Sequence, residues 1–140
     1  MEISFQEFQK LDMRIGKVLE ANQIPGSRNL IRMIVDFGTE KRQAVAGLSQ
    51  WYKPEDLAGN KYAFILNLQR RKFMGVESQC MILAAEDEKG NVVCLQPEKD
   101  IAEGSKYTKT TLNFGDFSAQ TKNDRDPLGF QHLTTVRAYV

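Results

Sequence analysis

Five cations are the clearest chemistry-bearing groups in this 140-residue sequence: Arg28 and Arg32 beside one turn, and the consecutive Arg70-Arg71-Lys72. A guanidinium forks onto phosphate oxygens and stacks on bases, whereas a lysine ammonium supplies a mobile point charge. Phe73 follows the second cluster directly and Met81 lies a few residues on, so an apolar platform for a base or ribose is available beside the charges. Cations interleaved with such platforms are what a nucleic acid requires. Short basic runs are also ordinary solvated surface, and charge alone leaves both readings open.

Other chemistries find less support. The sequence has no GxGxxG, no GxxxxGK[ST] and no GxSxG, and its single histidine is His132, close to the C-terminus. Glu55-Asp56 and Glu86-Asp87-Glu88 lie in polar segments and read as solvated surface rather than as general acid and base. Cys80 and Cys94 sit in apolar surroundings outside any CxxC pair and read as buried reduced thiols. With one histidine, a zinc site lacks the usual ligands, so neither metal nor cofactor is expected. These observations point to a binding protein rather than an enzyme.

The formal net charge of +1 is unevenly spread, with 12 Lys and Arg against 8 Asp and Glu in the first 76 residues. That balance excludes a histone-like polycation but permits a local basic surface. No apolar run approaches the roughly 20 residues that cross a bilayer, and Met1-Glu2-Ile3-Ser4 does not open a basic-then-apolar leader. The expected address is cytoplasmic, with no membrane partner.

Positioning these groups falls mostly to strands. Ser4-Phe5-Gln6-Glu7 matches a capping box and predicts a short helix to about Leu11. Alternation from Asp12 to Ile24 predicts a curved strand, with Gly16 as the site of its bend or bulge. The turn Pro25-Gly26-Ser27-Arg28-Asn29 leads into a strand over 30–37, giving a hairpin with a basic tip. Further strands are expected over 43–48, 61–68, 80–85 and 92–96, with a short helix at Pro54-Glu55-Asp56-Leu57 stopped by Gly59. The segment 80–85 is apolar at both parities, so both of its faces should be covered. Many short strands with two small helices suggest a closed barrel, and in a five-stranded barrel of the oligonucleotide-binding type loops 1-2 and 4-5 flank the nucleic-acid face. Both basic clusters fall on those loops.

A family resemblance agrees with this reading. Phe8 to Gly16, Val35-Asp36-Phe37-Gly38, Gln43-Ala44-Val45-Ala46-Gly47, Tyr52 to Lys61, Asn67-Leu68 and Arg71 to Ser78 resemble, in order, the motifs of the tRNA-binding domain. That domain occurs free-standing and as the C-terminal domain or β subunit of methionyl-tRNA synthetases. The resemblance spans about residues 5 to 107 and implies an all-β fold, a five-stranded oligonucleotide-binding (OB-fold) barrel with short helices and a C-terminal extension. It implies non-catalytic gripping of tRNA by shape and phosphates, often as a homodimer, and service to a methionyl-type aminoacyl-tRNA synthetase in trans. Carried over by position, the RNA-contacting residues would be Arg71 and Lys72, with Asn67, Ser78 and Met81; Arg28, Arg32 and Arg70 join them from the charge pattern. Relatives include a chaperone-like group linked to protein export, which keeps a peptide-binding role as the alternative.

Two departures stand out. The family's Ser-x-Gly-Met reads Ser78-Gln79-Cys80-Met81 here, and the first hairpin carries its cation one position away from the usual place. Residues 1–107 are expected to form the tRNA-binding domain. Residues 108–140 carry several large apolar groups, among them Phe114, Phe117 and Phe130, and are expected to pack on the barrel or on a dimer partner.

Overall fold

Alternating β-branched and apolar residues build the centre of the molecule, which a computed structural model describes over residues 1–107. Strand β1 (Met13–Gln23) pairs antiparallel with β2 (Ile31–Asp36) on one side and with β4 (Lys61–Ile65) on the other. Strand β3 (Lys41–Ala46) continues the sheet beyond β2, and the two-residue β7 (Met81–Ile82) continues it beyond β4. The order β3-β2-β1-β4-β7 leaves the two edges to meet. They do so through Gln79 N–H, which donates to the Gln43 carbonyl at 2.8 Å, and through Val45 N–H, which donates to Ser78 Oγ at 3.0 Å. The result is the nearly closed five-stranded barrel of an OB-like fold. Docking of residues 108–140, and the placement of His132, lie outside the described residues.

The core follows the strand period. Ile31, Met33 and Val35 of β2 point inward in strict alternation and meet Val18, Ala44 and Phe64. Phe37 and Phe64 pack edge to face with ring centroids 5.4 Å apart. The bulge in β1 falls between Val18 and Glu20 rather than at Gly16. The reason is packing on both sides of the irregularity: skipping Leu19 lets Val18 and Ala21, an odd number of residues apart, both reach the core. Gly16 instead pairs with Tyr62 of β4, and a β-carbon there would sit 2.5 Å from Val35 Cγ1 and 2.6 Å from Phe37 Cε1.

The helices are short. In α1 (Phe5–Gln9) the Ser4 hydroxyl accepts from Glu7 N–H at 3.1 Å, as the capping pattern predicts. Helix α2 (Pro54–Leu57) starts with the Asp56 carboxylate accepting from Lys53 N–H at 2.9 Å, and buries Leu57 between β3 and β4 in chain order.

Two strand expectations require correction. The fourth strand ends at Ile65, not Leu68, because the chain beyond it is diverted by side-chain hydrogen bonds to Leu66 and Asn67. Residues 80–85 do not form one strand covered on both faces: β7 is followed by a separate β8 (Ala84–Glu86), which pairs with β9 (Val92–Cys94). Leu83 makes the turn, donating to the Ala63 carbonyl at 2.9 Å while its own carbonyl accepts from Leu95 N–H at 3.0 Å. Only Cys80 and Ile82 of the segment reach the core, and Met81 and 84–86 are exposed.

Candidate nucleic-acid interface

Between β4 and β7 the chain makes an excursion from the barrel, a hairpin of β5 (Arg71–Phe73) and β6 (Val76–Ser78). Its two-residue turn is Met74-Gly75, both with positive φ (51° and 80°), the geometry whose twist matches a tight antiparallel hairpin. Alternation puts Arg71 and Phe73 on one face, while Lys72, opposite Glu77, takes the other. The Arg71 guanidinium carbon lies 5.5 Å from the Phe73 ring centroid, so the ring holds the cation in place at its face.

That face borders a groove of about 560 Å³. One wall is the end of β3 and the residues after it, Val45 to Leu48; the other is formed by Leu68, Gln69, Arg71 and Phe73; Ser78 to Ile82 complete it. Leu68 and Met81 present exposed apolar surface there, each 44% accessible. Ser78 and Met81 line the same groove because Ser78 ends β6 and Met81 begins β7, with an irregular step between them. Cys80 occupies that step without a left-handed backbone and turns its side chain inward. Burial pushes its thiol up to about 12, the nearby Arg42 cation offsetting only part of the effect. The thiolate needed for reactivity is therefore absent at neutral pH.

The other expected site residues differ in how free they are. Ser78 Oγ accepts from Val45 N–H and donates to the Cys80 carbonyl at 3.1 Å, so it closes the barrel. Asn67 Oδ1 accepts from Asp12 N–H at 2.8 Å and its Nδ2 donates to the Lys10 carbonyl at 2.5 Å, fastening the chain after β4 to the α1-β1 junction. Arg32 Nε donates to Gln43 Oε1 at 2.6 Å, and Gln43 Nε2 donates in turn to the Glu77 carbonyl at 2.8 Å. Arg70 makes a looser ion pair with Glu77 at 3.4 Å. These four brace the hairpin. Arg28, Arg71 and Lys72 are exposed and make no ion pair among the described residues. Arg28 sits on the β1-β2 loop, whose Gly26 lies against Met74 of the hairpin tip, so the two basic loops adjoin. Arg28, Arg70 and Lys72 are not among the residues that line the groove; Arg71 is.

Sequence reasoning missed the wall from Val45 to Leu48, whose plain apolar residues carry no chemical signal. It also missed Arg42, although Asp12-x-Arg14 and Glu40-x-Arg42 are opposite charges at strand spacing, and residues two apart share a face.

Residues 13–106 match the family model described as "Putative tRNA binding domain". The chain belongs to this tRNA-binding domain family. Methionine–tRNA ligase of Methanocaldococcus jannaschii is 50% identical over 105 residues, 75% of this chain and 16% of the ligase. The ligase of Thermotoga maritima is 52% identical over 84 residues, 60% of the chain and 13% of the ligase. The chain thus spans about a sixth or less of the curated relatives it matches. A solved "MetRS related protein" of Pyrococcus horikoshii superposes with a TM-score of 0.73 at 39% identity, covering 77% of this chain and all of that one. The "chaperone CsaA" of Bacillus anthracis superposes with a TM-score of 0.70 at 33% identity, again covering 77% of this chain and all of the other. This tRNA-binding domain is therefore an OB-like barrel related to both. No helix among the described residues is long and apolar enough to cross a membrane.

Proposed function

We propose that the domain binds tRNA in the cytoplasm through this groove, by phosphate and shape contacts, and serves an aminoacyl-tRNA synthetase of the methionyl type in trans. The observation that carries the reading is Arg71: a guanidinium with no ion pair among the described residues, held by Phe73 at the rim of an open groove with Leu68 and Met81 exposed inside it. The cation meets a phosphate, and the apolar side chains receive a ribose or an unstacked base. Arg28 on the adjoining loop extends the positive charge toward neighbouring phosphates, and Lys72, on the opposite face of the hairpin, adds only to the surrounding field. The methionyl assignment is supported by the ligases that share the domain. The reading includes a homodimer, supported by the family resemblance; sedimentation as a monomer at high concentration removes that part.

A second reading, an apolar peptide segment in the same groove, is favoured by Leu68 and Met81 and by the chaperone relative. Fluorescence anisotropy of labelled bulk tRNA, titrated at two salt concentrations, separates the two. Affinity should fall as salt rises, and unstructured RNA and an unfolded protein should compete weakly. Absence of tRNA binding, with the unfolded protein retained, would establish the peptide reading instead.

A further inference from the structure

A ring of alternating charges surrounds the root of the β5-β6 hairpin. Asp12 holds Arg14 through both carboxylate oxygens, at 2.9 and 2.8 Å. Arg14 reaches Glu40 at 3.6 Å, and Glu40 holds Arg42 through Nε at 3.1 Å and Nη2 at 3.4 Å. The remaining nitrogen of Arg42, Nη1, donates to two backbone carbonyls: Leu66 at 2.7 Å and Gln79 at 3.2 Å. Those two residues are where the chain leaves the barrel for the hairpin and where it returns. Asn67 closes the circuit by accepting from Asp12 N–H.

We propose that Arg42 is a positioning residue, a clamp that pins the entry and exit of the hairpin and so fixes where Arg71 stands at the groove. The guanidinium geometry suits the task, because one plane carries the double contact to Glu40 and the shared contact to the carbonyls together. A lysine has no such fork. Arg42 is largely shielded, its side chain 20% accessible and already committed to Glu40, Leu66 and Gln79. It is not among the groove-lining residues and acts on a ligand only through the hairpin. The contribution to binding rests on the tRNA reading above; the effect on the hairpin does not.

Arg42→Met and Arg42→Lys separate the possibilities. Amide hydrogen exchange across 67–79 should accelerate about tenfold or more in both variants while β1 and β2 keep their protection, because local opening no longer meets the clamp. Affinity for bulk tRNA should drop about five- to tenfold, with the dependence on salt unchanged, since no phosphate contact is removed. If Arg42→Met unfolds the chain, Arg42→Lys and Glu40→Gln, which loosens the anchor of Arg42, provide the same two readouts. Unchanged exchange in the hairpin overturns the clamp. A reduced salt slope also overturns it, because Arg42 would then be touching phosphate directly. Should the unaltered protein bind no tRNA, the functional reading falls, and the exchange rates still decide whether Arg42 holds the hairpin.

Discussion

Arg71→Glu is expected to weaken binding to bulk tRNA by about 10- to 100-fold without lowering stability. A hydrogen bond to a charged partner contributes about 1.5–3 kcal/mol, and reversing the charge adds repulsion from the phosphate. The slope of log affinity against log salt should fall by about one, the signature of a lost phosphate contact. Arg71 is exposed and has no ion pair within the described residues, so the substitution strips nothing from the fold except the contact with Phe73. Lys72→Glu is expected to do less, since Lys72 occupies the opposite face of the hairpin from the groove. Equal losses in the two variants would mean that net charge near the groove matters and the orientation of Arg71 does not. Thermal unfolding of each variant confirms that affinity, not folding, has changed.

Phe64→Ala has the reverse profile. Phe64 is fully buried, pairs with Arg14 on β1 and with Ile82 on β7, and stacks edge-on against Phe37. Deleting an aromatic ring from such a position costs about 3–5 kcal/mol, from lost burial and from the cavity left behind. A small domain has only about 5–15 kcal/mol in total. The midpoint of thermal unfolding should therefore fall by roughly 10–25 °C. At a temperature where the variant remains folded, tRNA affinity should change by no more than a few-fold, because no Phe64 atom borders the groove. A midpoint within a few degrees of the unaltered protein would contradict the assignment of Phe64 to the centre of the core.

Much of this organisation is legible in the residues. The β-branched, apolar run over 30–37 announces β2, Ser4 with Glu7 announces α1, and Pro54 with Gly59 brackets α2. What escapes are the places where the barrel departs from regularity. The bulge at Leu19 leaves no local mark, because it serves two core positions whose neighbours come from other strands. The break at Leu83 is set by hydrogen bonds to Ala63 and Leu95, partners some 20 and 12 residues away in the chain. The site shows the same division. Exposed charge is visible in sequence, so Arg71 stands out; yet the chemical versatility that nominates Ser78 and Asn67 also suits them to closing the barrel and fastening α1, and both make those bonds. Which of three consecutive cations faces the groove depends on hairpin register, and that register is set by the turn at Met74-Gly75.

If tRNA occupies the groove beside the β5-β6 hairpin, the groove residues are the ones its binding perturbs. The most direct measurement is the set of backbone amide shifts in isotope-labelled protein on titration with tRNA or an isolated tRNA stem-loop. The largest changes should cluster at Val45 to Leu48, at Arg71 and Phe73, and at Ser78 to Met81, with smaller ones at Arg28 on the adjoining loop. Changes centred instead on the distant polar cleft around Lys17, Lys61 and Lys99, with the groove residues unmoved, would contradict tRNA binding in the groove.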